Sequence, residues 1–370
     1  MNPTKLFKAI GILIITLVIL AILAVGGYAL YLEMHYYRIA DNQQETIAGN
    51  QSNILQAGKT YRASTYNVGF GAYTPDYTFF MDEGIMADGR KTTGSESRAE
   101  SKQSVINCTN GDISLIKSLN VDFALFQEVD ENSTRSFYVN QRQAFEQAFE
   151  NYGSIFSKNF HAPFLMYPPT NPHGSVQSGI LTLSKYAVAD AERRSYPVDE
   201  SFPTKYFDLD RCFDVMRLPV NNGHELVLIN SHMSAYDKGG RVRAQQLALL
   251  RNCLTEERAK GNYVVCGGDW NHALGGSEKF YPSKQLVPPW ISVLKDTDLP
   301  AGFRYVKASN FAEVPTCRGD DIPYEKGVTY TCTIDGFFVS DNVVAEATHI
   351  NNEFQYSDHN PVMLTFSLQQ

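Results

Sequence analysis

Polar side chains that bind metal ions or carry protons lie beside six apolar, strand-like segments of this 370-residue chain. Carboxylate and amide oxygens are ligands that Mg²⁺ accepts, and imidazole changes its charge near neutral pH. Polar groups at strand ends can meet at one rim of a packed domain, so we expect a single site. The residues are Asn67 in STYNV, Glu128 in LFQEV, His232 in LINSH, Asp269 and Asn271 after VVCGG, Asp335 in CTIDGFF, and Asp358 and His359 before PVML.

Each of these residues, taken alone, has an ordinary structural explanation. An isolated Asn67 or Asp269 is more often a turn residue that bonds its own backbone, and Glu128 alone would be a solvated strand end. His232 alone would be a hydrogen-bonded histidine, and Asp335 before a glycine would be a turn. Only their joint occurrence favours a catalytic set.

The sequence between these residues predicts the elements that position them. Short segments rich in β-branched and aromatic residues, such as KTYRASTYNVGF and HELVLINSH, are typical of strands. GRVRAQQLALLRNCLTEERA has the apolar spacing of an amphipathic helix, and a second helix is predicted from about residue 98 to 119, interrupted near TNGD. Because strands outnumber helices, we expect packed sheets flanked by helices.

The charge balance argues against a broad nucleic-acid surface. The formal net charge is −8, and residues 1–40 carry +2 of it, which leaves −10 for the rest of the chain. Non-specific nucleic-acid binding normally depends on many Lys and Arg side chains. The domain must therefore use a local basic strip or bind another substrate.

The most basic short stretch follows His232. Lys238, Arg241 and Arg243 precede or begin the amphipathic helix, where cations and backbone N–H groups can receive an anionic substrate. A solvated helix face is an equally good explanation. Arg211 lies on a predicted strand and either reaches the substrate or pairs with a neighbouring aspartate.

The N-terminus predicts a membrane anchor. Residues 9–32 carry no charge and exceed the ~20 residues that cross a bilayer. Lys5 and Lys8 place residues 1–8 in the cytoplasm by the positive-inside rule, with the remainder of a single-pass cell-membrane protein outside the cell. A cleaved signal peptide is the alternative. Residues 33–59 are polar and predict a stalk, and residues 60–370 form the domain.

The six cysteines do not form a metal site of the CxxC type. Cys317 and Cys332 flank a loop-like segment, so a disulfide and two buried thiols both fit the sequence.

The motif order YNV, QEV, NSH, GGDWN, TIDGFFVS and SDHNPV, over residues 60–370, resembles the endonuclease/exonuclease/phosphatase superfamily with the DNase I-like fold. The resemblance implies a four-layer α/β (α+β) sandwich of two packed, mostly antiparallel β-sheets flanked by helices, here with one N-terminal transmembrane helix. It also implies hydrolysis of a phosphoester by in-line attack of water.

The same resemblance assigns a role to each residue. Asn67, Glu128 and Asp358 correspond to the Mg²⁺ site, with Mn²⁺ as an alternative ion. His359 and Asp335 correspond to a His–Asp pair, and Asp269 to the group that orients or deprotonates water. The phosphate contacts fall to Asn271 and His232, with Arg241 as a weaker candidate.

The substrate is the most open part of this prediction, because one fold supports many functions. An extracellular endonuclease is our first hypothesis. A sphingomyelinase-like phospholipid phosphodiesterase is the second, because a membrane tether and the aromatic loops FGAYTPDYTFFM and FHAPFLMYPP suit it, and an inositol-phosphate phosphatase is related to both. A non-catalytic binding module is the third. We expect a monomer.

Overall fold

Two β-sheets lie face to face in the computed structural model, which describes residues 3–235, 237 and 240–370. Helices cover the outer faces of the sheets, and one apolar helix precedes the domain. The α-helices are α1 (Pro3–His35), α2 (Lys102–Ser118), α3 (Gln141–Ala148) and α4 (Arg241–Ala259). Short 3-10 helices lie at Gly69–Gly71, Thr134–Ser136, Thr204–Tyr206, Ser277–Lys279 and Asp296–Asp298.

The strands form a seven-stranded sheet, a six-stranded sheet and two short ribbons. The larger sheet has the spatial order β1 (Gln43–Gln44), β8 (Asp190–Ser195), β9 (Cys212–Pro219), β10 (Glu225–His232), β11 (Tyr263–Asp269), β15 (Asp335–Ser340) and β12 (Phe303–Tyr305). The smaller sheet has the order β16 (Val343–His349), β17 (Val362–Leu368), β2 (Thr60–Asn67), β5 (Phe123–Asp130), β7 (Gly174–Ser184) and β6 (Gly153–Leu165). The ribbons pair β3 (Glu83–Ile85) with β4 (Lys91–Thr93), and β13 (Cys317–Arg318) with β14 (Thr331–Cys332).

Each sheet is antiparallel except for one central parallel pair, β2 with β5 and β10 with β11. Parallel neighbours end at the same edge, whereas an antiparallel neighbour begins there. The C-terminal ends of these four strands therefore share a rim with the starts of β15 and β17. The predicted sandwich of two mostly antiparallel sheets with outer helices is confirmed.

Apolar side chains fill three layers between these elements. The inner core joins the two sheets, and includes Leu125, Leu228, Val265, Phe337 and Leu364. A second core packs α4 on the larger sheet, and a third packs α2 and α3 on the smaller one. Burial of these faces is the main favourable term that holds the four layers together.

Helix α2 runs without a break through TNGD, where the sequence predicts an interruption. The reason is the packing of Gly111 against the ring of Tyr356. A Cβ atom at Gly111 would lie 2.5 Å from that ring, so the glycine permits close contact and does not end the helix.

The segment predicted as a stalk lies along the domain. Gln43 and Gln44 add a short edge strand to the larger sheet, and Leu55 is buried in the inner core. Helix α1 is long and apolar enough to cross a membrane, and none of its most apolar window is buried. Its last turns contact the domain through the buried Leu32.

All six cysteines are free thiols. Cys317 and Cys332 face each other across the ribbon of β13 and β14. Of the two alternatives that fit the sequence, the structure therefore has the pair of buried thiols.

Candidate active site

The predicted site residues meet at the rim shared by the two sheets. His232, Asp269 and Asp335 are direct cross-strand neighbours on β10, β11 and β15. Asn67 ends β2, and His359 lies just before β17, which runs antiparallel to β2. Strand direction and register thus bring together residues that are far apart in the sequence.

Two hydrogen bonds between side chains join the sheets at this rim. Asn67 Nδ2 donates to Asp269 Oδ2 across 3.0 Å. The imidazole Nδ1 of His359 lies 2.8 Å from Asp335 Oδ2. All four residues are buried, so these hydrogen bonds replace contacts with bulk water.

The His359–Asp335 pair favours a charged imidazole. Burial opposes the charge on His359, but the nearby carboxylates of Asp335 and Asp358 outweigh it and raise its pKa well above the ordinary range. Burial also raises the pKa of Asp335 to about 6, although the histidine acts in the opposite direction. At neutral pH the pair is therefore an imidazolium beside a carboxylate, with Nδ1–H donating to Asp335.

Glu128 sits on a β-bulge that turns it out of the regular ladder. Its φ is 57°, and the pairing of β5 with β7 shifts register between Phe126 and Val129. Asn230 on the opposite sheet supports the bulge, since its Nδ2 approaches the carbonyl oxygens of Phe126 at 3.2 Å and Leu181 at 3.3 Å. Bulges commonly re-aim a side chain beside an active site.

The carboxylate of Asp358 lies near enough to Glu128, beside this bulge, for its charge to act on that residue. Burial raises the pKa of Glu128, the Arg135 guanidinium 3.9 Å away lowers it, and the charge of Asp358 raises it again. Neighbouring carboxylates that are partly open to solvent form a hard-oxygen donor set that suits a divalent ion such as Mg²⁺. The residues present therefore fit a divalent metal.

The side-chain amide of Asn67 directs its nitrogen, and not its oxygen, toward the neighbouring carboxylates. Its Oδ1 accepts a hydrogen bond from the backbone N–H of Gly69 at 3.0 Å, and its Nδ2 points toward Asp269 and Glu128. The amide therefore holds both carboxylates in place, while one lone pair of its oxygen is already used.

A second group of residues at the same rim could also hold a metal ion. Ligand atoms of Asp269, Asp335 and His359 all fall within 4.8 Å of one another. The His359–Asp335 hydrogen bond already occupies two of these groups, which makes this trio a poorer metal site than the pair of Glu128 and Asp358.

His232 is fully buried and neutral. Burial, together with the positive charges of Arg211 and His359, holds its pKa well below the ordinary range. Its Nε2 accepts a hydrogen bond from the Arg211 guanidinium, and its Nδ1 lies 3.5 Å from the amide nitrogen of Asn159. The positive charge at this point of the rim therefore belongs to Arg211.

Asn271 stabilises the buried carboxylate of Asp269. Its backbone N–H donates to Asp269 Oδ1 at 2.9 Å. The side-chain Nδ2 donates to the Met233 carbonyl at 2.8 Å and lies 3.4 Å from Asp269 Oδ2. One of its two amide hydrogens is thus held firmly and the other only weakly.

The basic stretch after His232 contributes little to this rim. Arg241 is exposed at the start of α4, while Arg243 is buried and donates to the backbone carbonyl of Trp290 at 2.9 Å. Lys238 lies outside the described residues. The candidate substrate contact of Arg241 remains a prediction.

Two other arginines lie beside the carboxylates instead: Arg211, whose direction the sequence leaves open, and Arg135, which the sequence does not single out. Arg135 makes a two-point ion pair with Asp130 and stacks 3.9 Å over the ring of Phe70. Arg211 is buried against His232, and its Nε has no hydrogen-bond partner among the described residues. ENSTRSF carries no spacing that would have marked Arg135 as a site residue, and DLDRCFDV left open whether Arg211 reaches the substrate or pairs with a neighbouring aspartate.

The sequence model described as the Endonuclease/Exonuclease/phosphatase family matches residues 64–359. Enzymes of that family are metal-dependent phosphoester hydrolases. A search of curated protein sequences finds no match.

Solved structures with low sequence identity share the fold. The endonuclease/exonuclease/phosphatase from Beutenbergia cavernae is 13% identical, with a TM-score of 0.55 over 84% of this chain and 72% of that one. D. rerio TDP2, complexed with a single-strand DNA product, is 16% identical, with a TM-score of 0.51 over 84% and 99%. ANGEL2, a 2',3'-cyclic phosphatase in complex with adenosine-2',3'-vanadate, is 13% identical, with a TM-score of 0.52 over 90% and 100%.

Replacing Asn230 tests whether it supports the Glu128 bulge. Asn230→Leu leaves the carbonyls of Phe126 and Leu181 unsatisfied, so we expect a loss of about 3 kcal/mol in the free energy of unfolding. Divalent-metal affinity should fall as well. The control Thr182→Val loses only the 3.1 Å bond from Asn230 and should cost about 1 kcal/mol. Equal losses in denaturant titrations would show that the bulge holds without Asn230.

Proposed function

This chain belongs to the endonuclease/exonuclease/phosphatase family, and we propose that it is a membrane-anchored, Mg²⁺-dependent phosphodiesterase that acts outside the cytoplasm. The observation that carries the proposal is the pairing of two carboxylates, Glu128 and Asp358, with the buried His359–Asp335 pair at one rim. One group of residues suits a divalent ion, and the other suits proton transfer and charge stabilisation.

Glu128 and Asp358 would hold the metal ion, with Asn67 fixing their surroundings. When bound, a divalent ion neutralises the phosphoryl oxygens and stabilises the leaving oxygen. Mg²⁺ usually takes one or two protein carboxylates and keeps several waters, as this donor set allows. Mn²⁺ accepts the same oxygen ligands.

Asp269 is placed to orient the attacking water and take its proton. Three amide groups surround it, the side chains of Asn67 and Asn271 and the backbone N–H of Asn271, so its oxygens have fixed directions. As the water oxygen bonds to phosphorus, the bond to the leaving oxygen breaks and the water proton passes to Asp269. The second amide hydrogen of Asn271 is then available for a phosphoryl oxygen.

His359 supplies positive charge where the phosphoryl group develops negative charge. Its Nε2 lies 3.9 Å from Asp269 Oδ2 and 3.6 Å from Asp358 Oδ2, facing both proposed sites of chemistry. Asp335 holds the other ring nitrogen, which fixes the orientation of the imidazole. Arg211 adds a second cation near Asp269, whereas the neutral His232 orients Arg211.

The apolar part of α1 supports the anchor, with Lys5 and Lys8 on the cytoplasmic side. A nucleic-acid substrate is supported by the resemblance and by the fold shared with TDP2. Arg135, Arg211 and Arg243 are buried, however, so they form no open track for a phosphate backbone.

Glu128→Gln tests the metal site directly. We expect Mg²⁺ or Mn²⁺ affinity to fall at least tenfold in calorimetric titrations, because a neutral amide replaces a charged ligand. Hydrolysis of bis-p-nitrophenyl phosphate and nicking of plasmid should fall in parallel. Glu131→Gln is the matched control, since the carboxylate of Glu131 pairs with Arg142 and Lys158 and not with a proposed metal ligand. Unchanged metal affinity in Glu128→Gln would exclude this ligand assignment.

Asp335→Asn tests the charged histidine through the pH dependence of catalysis. Removing this carboxylate removes one of the charges that raise the pKa of His359. The rate should fall about 100-fold, and the alkaline limb of the kcat/KM profile should move to lower pH, because His359 then loses its proton earlier. The exposed Asp341→Asn should leave the profile unchanged. An unmoved alkaline limb in Asp335→Asn would contradict the role of the pair.

A further inference from the structure

Two loops beside the end of α1 expose a group of large apolar side chains. The first consists of the end of β6 and the residues that follow it, and the second connects β8 to β9. We call this group the collar; it consists of Phe164, Met166, Tyr167, Phe202 and Phe207. Clustered exposed apolar side chains commonly mark a surface that contacts a partner or a membrane.

Both loops are fastened to the last turns of α1. Tyr31 Oη accepts a hydrogen bond from the Phe164 backbone N–H at 3.0 Å, and Tyr28 Oη accepts one from Met166 at 2.9 Å. The other loop is held by Glu33, which pairs with Lys205 at 2.8 Å. Helix α1 therefore leaves the domain from beside the collar.

The position of α1 indicates which surface the collar contacts. If the unburied apolar window spans the bilayer, Tyr28 and Tyr31 lie at the end of that span, where tyrosines commonly mark the boundary between lipid tails and headgroups. The collar residues bonded to these tyrosines must then lie at the same depth. Their partner is the lipid interface next to the anchor.

The direction of β6 places the collar on the same side of the domain as the active site. Strands β5 and β6 are both antiparallel to β7, so they run the same way. Gly179 pairs with both Val129 and Lys158, so Lys158 lies at the level of Glu128. From there β6 continues six residues to Phe164, about 20 Å beyond the rim at 3.3 Å per residue.

The second loop also leads directly to the site. Arg38, just after α1, pairs with Asp210 at 3.0 Å, and the next residue, Arg211, donates to His232. On the larger sheet the contacts from the anchor thus lead directly to the catalytic rim.

We propose that the collar docks the catalytic rim onto the bilayer, so that this enzyme cleaves phosphodiesters of lipid headgroups at the membrane surface. The proposal rests on the phosphodiesterase activity and anchor proposed above. Residues 199–210 carry four carboxylates and one lysine, so attraction to anionic lipids does not drive the docking. The partner is a zwitterionic bilayer, and the contact depends on apolar burial.

Fluorescence quenching by brominated lipids tests the docking itself. The full chain is placed in nanodiscs of phosphatidylcholine with or without bromine on the acyl chains, as Phe202→Trp or as Val344→Trp. Phe202 is 72% exposed in the collar, whereas Val344 is 55% exposed at the opposite end of the smaller sheet, where it pairs with Ser367. We expect the tryptophan at position 202 to be quenched several-fold more. Equal quenching would overturn the docking.

Turnover of two substrates tests the substrate class. The double variant Met166→Ser with Phe202→Ser should cleave sphingomyelin or phosphatidylcholine in the nanodisc at least fivefold more slowly than wild type. Its hydrolysis of soluble bis-p-nitrophenyl phosphate should be unchanged, and Val344→Ser should change neither.

The two proposals fail in different ways. Wild-type protein that cleaves no phosphodiester at all overturns the proposed function, whatever the quenching shows. Wild-type protein that cleaves bis-p-nitrophenyl phosphate or plasmid but neither nanodisc lipid overturns the lipid substrate. A collar variant that keeps full lipid turnover overturns the link between docking and catalysis.

Discussion

The carboxylate of Asp269 is the constraint on which the rim depends. An ion buried between two sheets is costly unless polar groups surround it, and here the partners come from both sheets. Asn67 reaches it from the smaller sheet at 3.0 Å, while the backbone of Asn271 reaches it from its own chain segment at 2.9 Å. Satisfying this one charge fixes the relative position of the two sheets where the chemistry takes place.

The same strand directions relate the candidate site to the apolar helix α1. A parallel pair in each sheet sends four strand ends to one rim, and β6, which runs with β5, extends beyond it toward α1. Helix α1 is therefore joined to the side of the domain that carries the candidate site and not to the opposite end. The polar segment between α1 and β2 lies along the domain, with Leu55 in the inner core.

The sequence predicts the fold well, and it also predicts which residues lie at the rim. The types of the residues at the strand ends, and their order along the chain, are sufficient for both predictions. It cannot predict contacts made by residues without such a pattern. Arg135 and Arg211 reach the site through tertiary packing, and the two-residue strand β1 pairs only through its backbone. The direction of the Asn67 amide depends on a hydrogen bond with Gly69, which composition does not reveal.

Anomalous scattering from crystals of the protein soaked with Mn²⁺ tests the central claim most directly, because it locates the ion among the candidate ligands. The account predicts a peak between the carboxylates of Glu128 and Asp358, with the His359–Asp335 hydrogen bond intact. A peak enclosed by Asp269, Asp335 and His359, with no density at Glu128, would contradict it.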